Sequence, residues 1–209
     1  ANPSTGGIRL GTQSGTTVLI ACSETGALED NLHDVGHPST RWDDIHATNG
    51  TIQTSDANEK QDIALLTSAE MLVAKRISAL FKTFRWKDKV AAKGDNARTH
   101  TGIIAQDVQA AFTAESLDAG DYSLFISSTW WEHDVDVAAV EADDTVTPPI
   151  EAADAYTRTE NYDTEDAAPS GSTSRTRMGI RYPELLSFLA AYNEQRFASI
   201  ETRLTALEG

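Results

Sequence analysis

Ser55 and Lys60 are the residues of this 209-residue chain whose types and spacing could carry out covalent chemistry. A serine Oγ can attack the peptide bond that precedes it, and water then hydrolyses the resulting ester, so that the chain is cut before the serine. An alcohol is a poor nucleophile and needs a neighbouring base. A lysine can be that base when burial or nearby cations leave it as a neutral amine. Ser55 and Lys60 fit these two roles.

The spacing of the pair restricts the local structure. Residues five apart lie on different faces of a regular helix, so the pair predicts a turn or a distorted helix start. Asp56 and Glu59 offer a different interpretation, because D-x-x-E is a capping box that would simply begin a helix. An S-x4-K pattern taken alone also occurs by chance in most proteins of this size. Both interpretations stay open at this point.

Composition excludes several classes of function. The formal net charge is −15, which repels phosphate backbones and anionic membranes, so we expect no nucleic-acid partner. No apolar run is long enough to span a bilayer, so we expect no membrane insertion. Cys22 is the one cysteine, which excludes an internal disulfide framework.

Cofactor and metal motifs are weak or missing in the sequence. It contains no phosphate-binding glycine loop, no cysteine cluster and no G-x-S-x-G motif. His33 and His37 could share one helical face as metal ligands, but Gly36 and Pro38 favour a loop. We therefore expect neither a cofactor nor a metal.

Residues 1–54 are rich in glycine, serine and threonine, with short β-like runs such as residues 16–21. No helical period precedes Ser55, and few positions could build a core within one chain. Such a segment suits an intertwined oligomeric β-stalk, in which each chain borrows apolar partners from its neighbours. A small β-sandwich fragment and a loosely ordered leader are the alternatives.

Residues 55–209 predict a small α/β domain. Helical patterns cover residues 67–81 and 107–115, and β patterns cover residues 83–86, 101–105, 122–131 and 178–182. A polar loop is expected over residues 87–99. Trp130 and Trp131 end one strand and are expected in the core or at an oligomer contact, with a sugar-binding platform as the alternative.

Residues 134–177 carry many acidic residues, few bulky apolar residues, and Pro148 with Pro149 in the middle. Such a segment cannot bury enough surface to fold alone. The sequence predicts either a mobile acidic loop or an arm that becomes ordered on a partner chain.

The last predicted helix, residues 183–208, opens with Pro183 and carries an apolar seam. The seam positions alternate spacings of four and three: Leu186, Ala190, Asn193, Phe197, Ile200, Leu204 and Leu207. That heptad pattern predicts a coiled coil, in which Asn193 would set register and oligomer number. A lone helix packed on its own domain through Leu185, Phe188 and Leu189 is the alternative.

Several motifs, taken in order, resemble the S74 peptidase family, the C-terminal intramolecular chaperone domain of phage tailspikes and tail fibres. Before the serine they are Asp30-Asn31, Gly36, Arg41-Trp42 and Asn49-Gly50-Thr51-Ile52-Gln53-Thr54-Ser55-Asp56. After it come Lys60, Ile63, the stretch from His100 to Asp107, and Tyr182 to Leu185. The similarity spans roughly Asp30 to the C-terminus apart from the acidic segment.

The resemblance implies a homotrimeric α+β protein that is the C-terminal piece of a longer fibre. Residues 55–209 would align three chains so that the stalk ending at residue 54 can fold. Ser55 would be the nucleophile and Lys60 the general base of a Ser-Lys dyad that cuts the Thr54–Ser55 bond once, in cis. The stalk would stay in the virion tail, where the upstream fibre is the part that could bind a host-surface receptor. The chaperone part would be released in the host cytoplasm.

Two residues qualify this resemblance. The family usually has a basic residue three positions after the serine, where this chain has Asn58, so slower cleavage is expected. His100 lies in a matching motif and could assist the dyad or be structural. A permanent, non-cleaving structural or receptor-binding tip is the alternative function, and an ordinary acidic domain with a coiled-coil tail is another.

Overall fold

A computed structural model describes residues 6–13, 16–23, 25–28, 34–42, 45, 54–142 and 151–208 of the chain. The chain divides into two compact units, Ala1–Gly50 and Thr51–Gly209. The first unit contains an antiparallel hairpin of β1 (Gly6–Gln13) and β2 (Thr16–Ser23), with Cys22 buried. The β-run predicted at residues 16–21 lies within β2. Whether this unit ends a trimeric stalk stays a prediction.

The second unit mixes helices and strands and closes with a long helix, so the α+β fold class is confirmed at that level. Its elements in chain order are α1 (Ser68–Ile77), β3 (Lys82–Phe84), α2 (Lys87–Lys93), β4 (His100–Gly102), α3 (Ala105–Thr113), β5 (Phe125–Val137), β6 (Tyr156–Tyr162), β7 (Thr173–Ile180) and α4 (Tyr182–Glu208). β3 and β4 form an antiparallel pair, and a three-stranded antiparallel sheet has the order β6-β5-β7.

One hydrophobic core joins α1, α3, the start of β5 and the first half of α4, which together we call the body. Its largest fully buried side chains are Phe112, Ile77, Leu185, Val73 and Val108. They come from three helices, and the pairs Val73 with Ile77 and Val108 with Phe112 are each four residues apart, which places each pair on one helical face. The long β5 strand contributes Phe125 to this core, and Trp130 further along the strand is buried outside it.

The polar loop predicted over residues 87–99 contains regular structure. The polar stretch at residues 87–99 forms the short helix α2 and a 3-10 turn, Gly94–Asn96. Lysine and alanine are good helix formers, and Gly94 ends α2 with φ near 56°, a conformation that glycine adopts readily. The loop prediction was wrong because it relied on the polar composition of this stretch and not on the helix propensity of its residues.

The described residues of the acidic segment, 134–142 and 151–177, contain strands within one chain, which differs from both a mobile loop and an arm ordered only by a partner. β5 continues into it as far as Val137, and β6 and β7 pair on either side of β5. Backbone pairing and cross-strand threonine bonds supply the order, since Thr157 and Thr159 donate to Asp136 and Asp134 at 2.8 and 2.7 Å. An antiparallel ladder needs little apolar burial on its exposed end. Whether the segment also lies on a partner chain stays a prediction.

Helix α4 has two apolar faces. Leu185, Leu189 and Tyr192 are buried against the body. The five bulky residues of the predicted seam are exposed: Leu186, Phe197, Ile200, Leu204 and Leu207. No helix in the described parts of the chain is long and apolar enough to cross a membrane.

Candidate active site

A single 3-10 turn, Ala57–Glu59, organises the predicted dyad. Asp56 caps the turn, because its Oδ1 accepts hydrogen bonds from the Asn58 N–H and from Asn58 Nδ2, both at 2.9 Å. The Lys60 N–H then donates to the Ala57 carbonyl at 3.2 Å and closes the turn. This tight turn reduces the distance between the backbones of residues 55 and 60.

The turn brings the two predicted catalytic side chains into contact. Lys60 Nζ lies 2.6 Å from Ser55 Oγ and donates a hydrogen bond to it. The distorted start that the i, i+5 spacing requires is therefore present. The capping interpretation is also realised in part, since Asp56 caps the turn through Asn58 rather than through Glu59. Pair and cap coexist in one structure.

The contact is exposed to solvent within one chain. Thr54, Ser55 and Lys60 are all exposed, so water reaches both the Thr54–Ser55 peptide bond and the amine. The geometry of a nucleophile and a base is present here, and the dry surroundings that favour a neutral amine are not supplied by the described residues of one chain.

The segment after the dyad runs to the first helix of the body. Asp62 has φ of 54°, which is uncommon outside glycine and turns the chain sharply after Lys60. Leu66 is held by α4: with its amide oriented to satisfy both groups, Gln195 donates to the Leu66 carbonyl at 3.2 Å and accepts from the Leu66 N–H at 2.9 Å. Between these points Ile63 and Leu65 are largely exposed. The tie by Gln195 was not predicted, because no sequence pattern links residues so far apart.

His100 is placed on β4, in an aromatic cluster. Its ring stacks on Phe84 with centroids 5.7 Å apart and meets Trp86 edge-on at 6.3 Å. No described contact joins His100 to Ser55 or Lys60, so the structure does not bring the three residues together. An assisting role for His100 stays a prediction.

The described residues offer no metal site, since they contain no group of three or more His, Cys, Asp or Glu that could hold an ion. His37 Nδ1 lies 2.7 Å from Ser39 Oγ, and His33 is outside the described residues.

Residues 55–117 match the Peptidase S74 family, described as the chaperone of endosialidase, and the match begins at Ser55. The chain carries an S74 domain. The matched range contains Ser55, Lys60, the turn between them and every element from α1 to α3. The predicted resemblance is confirmed.

Proteins similar to this chain include phage tail spike and tail fibre proteins. A probable tail spike protein of Klebsiella phage 0507-KN2-1 is 30% identical over 187 residues, which cover 84% of this chain and 14% of the relative. The side tail fiber protein pb1 of Escherichia phage T5 is 28% identical over 182 residues, which cover 85% of this chain and 11% of the relative. The chain thus spans a small part of the length of these relatives.

A solved structure shares the fold. It is the carboxy-terminal domain of the bacteriophage T5 L-shaped tail fibre with its intramolecular chaperone domain. The TM-score is 0.65 at 24% sequence identity, with 97% of this chain and 45% of that chain covered. The likeness supports the α+β architecture.

Proposed function

We propose that this chain is the homotrimeric intramolecular chaperone of a viral tail fibre or tailspike, and that it releases itself by cutting the Thr54–Ser55 bond. The contact of Lys60 Nζ with Ser55 Oγ at 2.6 Å carries the proposal, because it lies at the first residues of the S74 match. Residues 1–54 are the end of the stalk, and residues 55–209 are the chaperone.

The proposed cleavage balances without a cofactor. Ser55 Oγ attacks the carbonyl carbon of Thr54 while neutral Lys60 Nζ takes the hydroxyl proton. The bond from that carbon to the Ser55 nitrogen breaks, and Lys60 returns the proton to the leaving nitrogen. Water then hydrolyses the ester, leaving a carboxylate on Thr54 and a free amine and hydroxyl on Ser55. Each chain performs this once.

The exposed seam of α4 supports the trimer. Phe197 is 58% exposed and Leu204 is 53% exposed, at heptad positions that no described part of the same chain covers. Three such seams facing one another would bury these side chains as a coiled coil does. Holding three chains in register raises their effective concentration for stalk assembly. Threading three strands together is otherwise slow.

The solvent exposure of Ser55 and Lys60 supports cleavage that takes place only after the chains have assembled. Within one chain the amine is hydrated, so cleavage would be slow. A folded stalk or a neighbouring chain that covers the turn would remove water and favour the neutral amine. The stalk is then trapped behind its unfolding barrier after the chaperone leaves. The stalk remains in the virion tail, and the chaperone remains in the host cytoplasm.

A permanent fibre tip is the second candidate, and Asn58 favours it. Its amide is bound to Asp56 at 2.9 Å and provides no cation beside the dyad. In that case the S74 fold would keep the chains together without cutting them, and the tip could contact a receptor.

The deciding experiment is intact mass with a denaturing gel on freshly expressed wild type, Ser55→Ala and Lys60→Ala. Self-cleavage predicts that the wild type separates at Thr54–Ser55 while both variants stay whole. Ser199→Ala and Lys75→Ala, which alter an exposed serine and an exposed lysine elsewhere, should cleave like the wild type.

If every chain stays full length, Asn58→Lys separates the two candidates. Restored cleavage means that Asn58 silences a competent dyad. Continued full length means that the tip is permanent and that Ser55 and Lys60 have no catalytic role.

A further inference from the structure

Charge is unevenly distributed along this acidic chain. Residues 82–100 hold six of its 17 lysines and arginines and only two acidic residues. Residues 134–166 hold eleven of its 32 acidic residues and a single arginine. A strongly acidic protein therefore carries one cationic region whose chemistry is opposite to that of its own acidic segment.

The cationic region forms one defined surface, which we call the basic patch. It is built by β3, α2, the turn after it and β4, and it presents the exposed residues Lys82, Arg85, Lys87, Lys93 and Arg98. Phe84 packs edge-on against Trp86 within it, with ring centroids 5.2 Å apart. Half of Trp86 remains exposed beside the cations.

The cations of the basic patch are only partly satisfied by the chain itself. Lys82 pairs with Asp107 at 3.0 Å, and Arg85 lies 3.9 Å from Asp95. Among the described residues, Lys87, Lys93 and Arg98 have no acidic partner. The patch is therefore free to bind an acidic, partly aromatic surface.

The outer part of the β-sheet has the complementary character. Residues 131–137 of β5 pair with β6, and we call these two strands with the described chain beyond them, residues 138–142 and 151–155, the acidic ribbon. Most of its side chains are exposed, including Tyr156. Glu141, Glu151 and Asp154 lie toward its far end, where a bridge joins Val140 to Ala153.

Lys82 and Arg85 of the basic patch pair with Asp107 and Asp95, and not with the acidic ribbon of their own chain. The patch lies near the base of the sheet, because Tyr182, which begins α4, accepts a hydrogen bond from Ile103 N–H just after β4. Arg181 N–H in turn binds the Leu124 carbonyl next to the start of β5. β5 then extends for 13 residues, a length of about 40 Å. No described ion pair joins ribbon and patch within the chain.

We propose that the acidic ribbon of one copy binds the basic patch of a neighbouring copy. This contact rests on the trimer of the proposed function and names the surface on which the acidic segment docks. It would link the chains at their periphery, in addition to the α4 seam. A neighbouring ribbon is held at high local concentration, whereas the net charge of −15 repels nucleic acid.

The test is thiol cross-linking between patch and ribbon in the full-length Ser55→Ala, Cys22→Ser chain. Arg98→Cys and Glu151→Cys are introduced together and treated with a short bifunctional maleimide. Chains with only one of these cysteines, and a chain pairing Glu151→Cys with Lys75→Cys outside the patch, are the controls. Sedimentation equilibrium on the same samples reports the number of chains in the assembly.

The contact predicts dimer and trimer bands well above those of the Lys75→Cys control, with a yield that falls about fivefold in 0.5 M salt as the charges are screened. Lys87→Glu with Lys93→Glu should lower the yield similarly, and adding Glu141→Lys with Asp154→Lys should restore it. If the protein is a trimer but cross-links form only within one chain, or no more than in the control, this contact is wrong and the trimer of the proposed function stands.

If the protein is a monomer, the trimer of the proposed function is wrong as well. Loss of the bands together with binding of a single-stranded oligonucleotide would assign the patch to nucleic acid.

Discussion

The body and the second half of α4 use apolar side chains in opposite ways. In the body, Phe112 and Leu185 are fully buried by other elements of the same chain. Beyond Asn193, Phe197 and Leu204 follow an equally regular helical spacing and remain more than half exposed. One continuous helix passes from the first environment to the second.

This difference separates two sources of stability. Side chains of the body stabilise the single chain, whatever its concentration. Seam residues gain nothing within one chain and contribute only when other copies cover them, so their effect depends on concentration. A chaperone that must bring chains together and later leave benefits from keeping these two contributions on separate surfaces.

Phe112→Ala gives the largest expected effect. Its ring lies 4.5 Å from Tyr122 and 6.1 Å from Phe188, and truncation leaves a cavity among three helices. We expect the free energy of unfolding to fall by about 3–5 kcal/mol, measured by urea denaturation with circular dichroism. Phe197→Ala is the matched control and should change little at concentrations where the chain is monomeric. An equal loss of unfolding free energy in the two variants would contradict the separation between the body, which stabilises the single chain, and the seam, which acts only between chains.

Ile200→Asp should break the seam without unfolding the body. An aspartate in a coiled-coil seam leaves a buried charge without a partner, so the trimer should dissociate at micromolar concentration, measured by sedimentation equilibrium. The unfolding free energy of the monomer should stay within about 0.5 kcal/mol. Thr202→Asp adds the same charge off the seam and should remain trimeric. If both variants keep the mass of the wild type, the seam is not the association surface.

The sequence predicted best where a pattern was local. The apolar period placed α1, α3 and α4 within a few residues, and the i, i+5 spacing of Ser55 and Lys60 required the turn that is present. The S74 resemblance came from several short motifs in order. Each helix, the turn and each single motif is encoded in a contiguous stretch of sequence, where side-chain spacing alone is informative.

Long-range contacts could not be predicted in this way. Gln195 binds the backbone of Leu66, and β6 pairs with β5 across an acidic segment that the sequence predicts as a loop or an arm. The first depends on how α4 lies beside the start of α1, and the second depends on backbone ladders that carry no composition signal. α2 was missed because short polar helices resemble loops in composition.

Tyr182→Phe tests how much the hydrogen bond between the start of α4 and the chain just after β4 stabilises the body. The Tyr182 hydroxyl accepts from the Ile103 N–H at 3.1 Å, and its removal leaves that buried donor without a partner. We expect a loss of about 1–3 kcal/mol in the free energy of unfolding. Tyr156→Phe, on exposed β6, should have no effect.

Gly102 provides an independent check of the same contact. A Cβ at Gly102 would meet the Tyr182 hydroxyl and lie 3.1 Å from the Phe84 ring. Gly102→Ala should therefore destabilise the wild type more than it destabilises Tyr182→Phe, which removes the clashing oxygen. Additive losses in this double-mutant cycle would mean that the two residues do not interact.

The smallest expected effect is a pH dependence at the start of α1. Partial burial raises the pKa of Glu70, but hydrogen bonds from the Thr67 N–H, the Thr67 side chain and the Tyr122 hydroxyl outweigh it and lower that pKa from its ordinary value of 4.5. Partial burial, followed by the hydrogen bond to Glu70, raises the pKa of Tyr122 from 10.0 to about 12. The two shifts act on opposite sides of neutral pH.

The direction of each pH dependence follows from whether the group has the higher pKa in the folded or in the unfolded chain. Folded Glu70 loses its proton more easily than unfolded Glu70, so its contribution is present above about pH 4.5 and is lost as the pH falls further. Folded Tyr122 keeps its proton longer, so its contribution is present below pH 10 and is lost as the pH rises toward 12. Urea denaturation across pH should therefore show a flatter profile at both ends for Tyr122→Phe. Thr67→Ala should flatten the profile only at acidic pH, because Thr67 contacts Glu70 and not Tyr122. If the acidic part of the profile is unchanged in both variants, Glu70 has the same pKa in the folded and the unfolded chain.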